Sequence, residues 1–357
     1  MLSSVWCRSM PPNVTIIICT RNRAESLRLT LESLRTVTVP EGWMVELLVV
    51  DNGSTDGTRA VVESADLSPI EVRYLFVGKP GKSRALNRGL AETTGEIVVF
   101  TDDDVRMHPL WLVKICQPIV HGQAECTTGH IKLAPHLSRP WMTNLHRSYL
   151  ADTSDRNFSD VQEMVGANMA FLRKVLEKVT GFDSELGPGA LGFAEDTFFS
   201  KQLLQAGFLL LGVADAQVEH HPDPCRLTRQ SFLARARVQG FCHAYISHHW
   251  EHAEISRPLL RSLKVRLRLA FYRIQRRHLW PFDEGMADWE MRSVERLYYL
   301  DAIRKLSGSR RFYGRHALVK NSLLGFPRLS RKIACQPLFR ICRAHRGATA
   351  SPAMLAG

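Results

Sequence analysis

The chain has 357 residues, 45% of them hydrophobic, which is enough to bury the core of one large domain with an appendage. No stretch approaches the ~18 uncharged apolar residues of a membrane-spanning helix, so none is expected. The formal net charge of +12 is uneven: residues 256–346 contain 22 Lys and Arg against 6 Asp and Glu, so the basic character belongs to the C-terminal third.

Residues 1–12 look like a flexible lead-in that ends at Pro11 and Pro12, and they lack the apolar stretch of a signal peptide. The eight cysteines are scattered without a Cys-x-x-Cys pair. Such a distribution favours free thiols and a reducing compartment. We therefore expect the protein in the cytoplasm.

Strands and helices alternate regularly after this lead-in. Apolar runs predict four buried strands, at residues 14–19, 45–50, 72–77 and 96–100. The segments between them predict helices, one of which carries Leu27, Leu31 and Leu34 on a single face. The alternation is typical of an α/β fold with a doubly wound, mainly parallel sheet.

Polar residues follow three of these strands at the point where each strand ends. They are Thr20-Arg21-Asn22, Asp51-Asn52 and the acidic triplet Asp102-Asp103-Asp104. Open α/β sheets bind ligands at the carboxyl ends of their strands, so these residues should face one crevice. A hard divalent cation that also holds a phosphate would offset the repulsion within the triplet. The alternative is a solvated turn after a strand.

The second half of this region is less regular. A helix after Pro109 and a strand over 125–133 lead into a polar segment, 134–160, that is predicted to be a long loop, mobile over the site. Ordered structure resumes at Gly166. A glycine-rich loop over 181–192 then delivers Glu195 and Asp196 to the first turn of a helix.

The sequence resembles the inverting family-2 glycosyltransferases with a GT-A fold over residues 13–240. The stretches that carry the resemblance are Cys19-Thr20-Arg21-Asn22-Arg23, Val50-Asp51-Asn52-Gly53-Ser54-Thr55-Asp56, Gly81-Lys82-Ser83-Arg84-Ala85-Leu86-Asn87, the acidic triplet, Gly166-Ala167-Asn168 and Gly192-Phe193-Ala194-Glu195-Asp196. The resemblance implies a Rossmann-like nucleotide-binding half and an acceptor half, together spanning residues 13–255.

The resemblance also implies where a nucleotide-diphospho-sugar and its metal bind. Asp102 and Asp104 correspond to the family's DxD pair and would hold Mg²⁺ or Mn²⁺, with His220 as a further ligand. The expected donor-binding residues are Thr20, Arg21, Asn22, Asp51, Lys82, Asp102 and Asp103. Alternatives remain: a capping turn at Asp51, solvated charges at Arg21 and Lys82, and an ordinary strand-end polar residue at His220.

Asp196 matches the family's general base, which takes the proton of the acceptor hydroxyl. Its alternative role is to stabilise the N-terminus of its helix. Glu195, grouped with Asp196 as a catalytic residue, is expected to orient the acceptor or the nearby backbone, and Gly166 and Asn168 are expected to lie in the acceptor site.

Residues 256–347 form a basic, mainly helical C-terminal region, and residues 348–357 a disordered tail. Leu260, Leu263, Leu267 and Ile274 recur on one helical face among Arg and Lys. That helix either lies on an anionic membrane surface, at its cytoplasmic face, or packs on the catalytic domain with a solvated basic side. His243, His248, His249 and His252 are expected on a solvated helix face rather than in a zinc site.

These expectations describe a metal-dependent hexosyltransferase. The resemblance implies transfer from a nucleotide-diphospho-sugar, UDP-linked by default, to a hydroxyl acceptor in polysaccharide, glycolipid or other glycoconjugate synthesis. A carboxylate glycoside hydrolase and a basic nucleic-acid-binding protein are the alternatives, although no nucleic-acid partner is expected.

Overall fold

A computed structural model describes residues 11–276, 280 and 282–321. Most of the predicted N-terminal lead-in and the whole of the predicted tail, 348–357, lie outside these residues. The described strands form one sheet, in the order β3-β2-β1-β4-β7-β6-β8-β5. The strands are β1 (Asn13–Thr20), β2 (Met44–Asp51), β3 (Glu71–Phe76), β4 (Ile97–Asp102), β5 (Val105–Met107), β6 (Cys126–Leu133), β7 (Asn168–Leu172) and β8 (Leu210–His220).

Nine α-helices surround this sheet in the described part of the chain. They are α1 (Ala24–Leu34), α2 (Thr58–Glu63), α3 (Lys82–Glu92), α4 (Trp111–Val120), α5 (Asn144–Tyr149), α6 (Glu195–Gln205), α7 (Arg229–Ile246), α8 (Pro258–Gln275) and α9 (Asp288–Leu306). A π-helical segment, Ser247–Glu251, continues α7.

The predicted nucleotide-binding half is confirmed as a parallel sheet. β1 pairs in parallel with β2 and β4, and β2 with β3. The inner strands are buried along their apolar runs because helices cover both faces. All four strands predicted from the sequence exist, with ends shifted by one or two residues.

The other half makes the sheet mixed. β7 runs antiparallel to both β4 and β6, and the short strand β5 runs antiparallel to β8. β5 begins directly after the acidic triplet, and its three residues are too few to give a periodic signal in the sequence. Its pairing places Val105 opposite His220, which brings the end of β8 to the triplet.

The prediction of a long loop over residues 134–160 was wrong in part. The segment contains a 3-10 turn, Pro135–Leu137, and the helix α5. Thr143 begins α5 with a capping box, and the His146 ring is buried and bonded to the Met286 carbonyl. This polar segment is ordered because its few apolar and aromatic side chains pack under α7 and α9.

The C-terminal helices pack onto the sheet domain through α7. α9 crosses α7 at Gly240, and α7 and α9 share an apolar cluster with residues around α5. The boundary predicted at residue 255 stays a prediction, although helices on its two sides share this core. No helix within the described ranges is long and apolar enough to span a bilayer.

Cys19, Cys116, Cys126 and Cys242 are free thiols, in line with the cysteine pattern. Cys225 is instead disulfide-bonded. The cytoplasmic location therefore stays a prediction that the cysteines do not decide.

Candidate active site

The carboxyl ends of β1, β2 and β4 meet as predicted. Thr20 lies opposite Asp51, and Cys19 lies opposite Asp102. The turns after β1 and β2 are tied together because the Asn22 side-chain oxygen accepts a hydrogen bond from the Thr55 N–H at 2.8 Å. The Thr20 hydroxyl and the Arg23 guanidinium also bond to Asp103, so the three polar turns are joined at one edge of the sheet. Asn22, predicted to contact the donor, supports this edge through its side chain.

Within the triplet, Asp103 points into the protein. Its carboxylate accepts hydrogen bonds from the Thr20 hydroxyl at 2.6 Å and from the Arg23 guanidinium. Burial raises the pKa of Asp103 to about 6, against the opposing effect of Arg23. Thr20 and Asp103 are thus engaged with each other, and direct contact of either side chain with the donor stays a prediction.

Asp104 is buried beside His220, with 3.3 Å between its Oδ1 and the ring Nε2. The His220 Nδ1 lies 2.7 Å from the Leu150 carbonyl oxygen and must donate to it. In a neutral ring Nε2 is then an acceptor, and it faces a second acceptor, the Asp104 carboxylate. Two facing acceptors require a positive charge between them, either a proton or a metal ion.

The donor set at this point therefore fits a divalent cation. Asp104 and His220 would hold it, and the Leu150 carbonyl fixes the ring tautomer that such a ligand needs. The Arg23 guanidinium donates to the other Asp104 oxygen at 2.8 Å, and both His220 and Arg23 hold the pKa of Asp104 well below its usual range despite burial. In the described ranges, no group of three or more His, Cys, Asp or Glu side chains is arranged to hold a metal ion. A bound ion would need further ligands from its substrate or water.

Asp102 points to a different partner. The Lys82 ammonium, at the start of α3, lies 2.9 Å from Asp102 Oδ1 and 3.6 Å from Glu195 Oε1. These carboxylates hold the pKa of Lys82 well above its usual value in spite of burial. Burial raises the pKa of Glu195 to about 7, although Lys82 opposes this shift. Lys82 thus links the donor edge to the start of α6.

Asp196 is oriented by backbone amides. Its Oδ2 accepts the Gly166 N–H at 2.8 Å, and its Oδ1 accepts the Thr197 N–H at 2.8 Å. A Cβ on residue 166 would lie 3.4 Å from Asp196 Oδ2 and 3.9 Å from Lys82 Nζ. Gly166 therefore separates the ammonium from the predicted base, and the absence of its side chain leaves room between them.

The loop that carries Glu195 and Asp196 is anchored on α3. The Asn87 side chain both donates to and accepts from the backbone of Phe182, and the Ser83 hydroxyl donates to the Leu186 carbonyl. The Lys82 N–H donates to the Pro188 carbonyl. These bonds give a structural role to residues 81–87, the third stretch that carries the resemblance, because they anchor the loop before α6 and hold Lys82 beside it.

Two predicted donor contacts differ in accessibility. Asp51 is 1% exposed, and its oxygens accept hydrogen bonds from the Ser54 N–H and the Tyr74 hydroxyl. Contact between Asp51 and a nucleotide base stays a prediction. A base could donate a hydrogen bond only to the lone pairs of the Asp51 oxygens that Ser54 and Tyr74 leave free. Arg21 is exposed at the rim of the crevice and is free to reach a ligand.

Asn168, predicted to bind the acceptor, has a structural role here, and its contact with an acceptor stays a prediction. Its side chain is 0% exposed, accepts a hydrogen bond from the Trp111 indole and donates to the carbonyls of His130 and Ala216. Asn168 fastens β7 to α4, β6 and β8. Sequence reasoning missed this role because the asparagine follows Gly166 in a stretch that otherwise lines the site.

The structure adds three arginines to the site. Arg23 is part of a quoted motif but was not singled out. Arg226 is partly buried; desolvation lowers the pKa of its guanidinium group, and the charge of the nearby Asp104 opposes this shift. Arg235 stacks 3.3 Å above the Phe193 ring, and burial lowers its pKa to about 10. Arg226 and Arg235 had no motif in the sequence; only tertiary packing brings them here.

The histidines after α7 do not form a solvated face. His248 and His249 are buried, and burial lowers the pKa of His249 to about 3. The π-helical turn places both rings against residues near Ser309 and Phe312, where His249 stacks on Phe312 at 4.1 Å. The prediction of a solvated face is corrected to a packed, uncharged histidine pair.

Comparison with known proteins agrees with this geometry. The family model of glycosyl transferase family 2 matches residues 15–180. Glycosyltransferase AglE of Haloferax volcanii is 25% identical over 231 residues, covering 64% of this chain and 74% of AglE. Glucosyl-3-phosphoglycerate synthase of Mycobacterium tuberculosis is 33% identical over 114 residues, but only 31% of this chain and 35% of that protein are covered.

The fold also has a solved counterpart. The mannosyltransferase PcManGT of Pyrobaculum calidifontis, solved with GDP-Man and Mn²⁺, is 21% identical, covers 84% of this chain and 88% of its own, and superposes with a TM-score of 0.53. This likeness confirms the GT-A type of α/β fold. Residues 15–180 match the family 2 model, and together with the glycosyltransferase relatives and the GT-A fold this match supports a family 2 glycosyltransferase.

Proposed function

We propose that the protein transfers a sugar, with inversion, from a nucleotide-diphospho-sugar to a hydroxyl acceptor. The observation that carries this proposal is the arrangement at the strand ends. Asp104 and His220 present two facing acceptor atoms, and Lys82 extends from Asp102 toward the loop that carries Asp196. On one side of Gly166, a metal ion and Lys82 can stabilise the negative charge of a leaving diphosphate. On the other side, Asp196 can accept the proton of the acceptor hydroxyl.

Mg²⁺ or Mn²⁺ held by Asp104 and His220 would supply electrostatic stabilisation of the leaving nucleoside diphosphate. Lys82 and Arg226 are cations on the same side and add to this stabilisation. Arg21 at the rim contacts the nucleotide, and Asp102 binds on the donor side through the oxygen that Lys82 leaves open. UDP is the default nucleotide from the resemblance. GDP is the alternative to test, since PcManGT was solved with GDP-Man.

Asp196 is the general base in this proposal. Two backbone N–H groups fix its carboxylate, so it is oriented without a side-chain partner that would have to move. Glu195 is buried beside Lys82 and acts on orientation, not on the acceptor proton.

The acceptor class that we propose is based on a relative. The succinoglycan biosynthesis protein ExoM of Rhizobium meliloti is 27% identical over 232 residues, with 72% of ExoM covered. A growing polysaccharide or glycolipid is the acceptor we propose.

A nucleotide panel measured by thermal shift tests the donor side. We expect one nucleoside diphosphate, UDP first, to raise the melting temperature with Mn²⁺ and to lose most of this effect with a chelator. Asp104→Ala should abolish the metal-dependent part, whereas Asp215→Ala, a change on the exposed part of β8, should keep it. A nucleotide-induced rise in melting temperature that is the same with and without the metal would contradict a metal site at Asp104 and His220.

Asp196→Asn tests the base. The change keeps the shape of the side chain but removes its proton affinity, so transfer should fall about 10³-fold or more while the nucleotide-induced thermal shift is retained. Product anomers resolved by NMR should show inversion in the wild-type enzyme. Full activity of Asp196→Asn would assign the base to another residue.

A further inference from the structure

Among the described residues, helix α8 contacts the rest of the protein through one face. Its buried residues are Ser262 and Leu269, and the Ser262 hydroxyl donates to Asp301 of α9 at 2.6 Å. Arg266 and Arg273 lie on the same side and form ion pairs with Asp301 and Glu290 of α9. These contacts fix the rotation of α8 about its axis.

The opposite face of α8 is apolar and uncovered in the part of the chain that the structure describes. At about 100° per residue, this stripe is centred roughly half a turn of the wheel away from Leu269. Its members have relative exposures of 50% to 76% and are Leu259, Leu260, Leu263, Leu267, Phe271 and Ile274. Single exposed apolar residues are ordinary, but a continuous stripe over four turns indicates an interaction surface.

A row of cations flanks this stripe. It consists of Arg257, Arg261, Lys264 and Arg268, which recur every three or four residues. None of the four forms an ion pair with another described residue, in contrast with Arg266 and Arg273. Residues 257–276 contain no Asp or Glu. The exposed half of α8 is therefore apolar along one strip and purely cationic along the next.

We propose that α8 binds an anionic lipid bilayer, lying in the plane of its surface. The apolar stripe enters the headgroup and acyl boundary, while the flanking cations pair with anionic headgroups. The helix is too polar to cross the bilayer. The anionic cytoplasmic leaflet has the required charge, which agrees with the location predicted from the sequence.

The charge row favours a membrane over two other occupants. In a symmetric contact between two copies, the same face meets itself, so the two cation rows would be brought together. The segment 322–357 contains six Lys and Arg and no Asp or Glu, so it offers no complementary charge either. An anionic lipid bilayer complements both strips, because its acyl region accepts the apolar side chains and its headgroups pair with the cations. The proposal does not depend on the sugar donor or the catalytic residues.

Flotation of the full-length protein with lipid vesicles tests the apolar stripe. We expect the protein to float with vesicles that contain phosphatidylglycerol and to stay in solution with pure phosphatidylcholine. The double variant Leu263→Glu/Leu267→Glu should lower the bound fraction at least about tenfold. Leu209→Glu is the matched control, because Leu209 is 62% exposed but lies outside α8, and it should bind like the wild type.

The cation row is tested by Arg261→Gln/Lys264→Gln/Arg268→Gln. This variant keeps the stripe but should lose about tenfold in binding to anionic vesicles and most of its dependence on salt. Circular dichroism and the nucleotide-induced thermal shift show that each variant is folded.

Absence of flotation in the wild-type protein, or equal flotation of the Leu263→Glu/Leu267→Glu variant, would overturn the proposal. Light scattering supplies a second check. If the wild type is a dimer that the glutamate variant converts to a monomer without loss of lipid binding, the stripe is an interface between copies and not a membrane surface.

Discussion

At the residue scale, the site is a set of buried and partly buried charges that form ion pairs with one another. Arg23 forms ion pairs with Asp103 and Asp104, and Lys82 forms ion pairs with Asp102 and Glu195. Burial disfavours the charged form of each carboxyl group, and the balance with its cation differs between them. Asp104 is held ionised, whereas the pKa of Glu195 is raised to about 7. Glu195 and Asp103, whose pKa values are raised to about 7 and about 6, are therefore carboxyl groups whose ionisation opposes folding near neutral pH.

Replacement of Glu195 by Gln should make stability less dependent on pH. Because the folded pKa is raised from 4.5 to about 7, the group contributes stability below about pH 4.5 and loses it as the pH rises through 7. Gln cannot ionise, so Glu195→Gln should be more stable than wild type at pH 8, by on the order of 3 kcal/mol, and close to it at pH 4.5. Urea unfolding in the presence of a chelator at both pH values measures this. A variant that is less stable at pH 8 would show that the Lys82 pair outweighs desolvation.

At the scale of elements, the start of α6 depends on a strained turn. Gly187, Gly189 and Gly192 have positive φ, which glycine adopts freely, but Ala194 at the N-cap also has φ +69°. A non-glycine residue pays for this conformation, and the surrounding hydrogen bonds to α3 hold it in place. The turn directs Glu195 toward Lys82 and Asp196 toward Gly166, so local strain is used to aim the two carboxylates.

Ala194→Gly should therefore stabilise the protein, by about 1 kcal/mol, because the strain of the left-handed conformation is removed. Ala190→Gly is the matched control in the same loop. Ala190 has no positive φ, so glycine there should cost about 0.5–1 kcal/mol through the entropy of the unfolded chain. Both values follow from urea unfolding curves with equal slopes. Equal destabilisation by the two changes would mean that Ala194 is not strained.

At the scale of the whole molecule, contacts at Gly240 and at Asp183 are among those that join the C-terminal region to the sheet domain. α9 crosses α7 so closely that a Cβ on Gly240 would lie 2.3 Å from the Glu295 carbonyl oxygen. Asp183 lies in the glycine-rich loop before α6. Its carboxylate accepts hydrogen bonds from the Tyr245 and Tyr313 hydroxyls and forms an ion pair with Lys320. The region after residue 255 is thus braced against the helix and loop that shape the acceptor half.

Gly240→Ala should open this crossing and lower stability by roughly 2–3 kcal/mol, because backbone atoms of α9 have no freedom to move aside. Gly57→Ala provides the comparison. Gly57 has φ −72°, and its added Cβ would meet only Ala24 at 3.9 Å, so the change should be within about 0.5 kcal/mol of wild type. Thermal unfolding of the two variants decides. A stability equal to wild type for Gly240→Ala would show that the helices separate without cost.

The sequence by itself determined the parallel half of the sheet and the polar edge at its strand ends. Short apolar runs rich in β-branched residues, such as residues 14–19, are typical of inner strands, and the order of the strands then places Asp51 and the triplet at one edge. Only the tertiary structure decided which polar residues face the crevice. Asn168 and Asp103 turn inward, Arg226 and Arg235 arrive from distant elements, and His220 reaches Asp104 through the short strand β5. The physical reason is that periodicity records burial along one element, whereas hydrogen-bond partners of buried polar groups come from other elements and leave no local pattern.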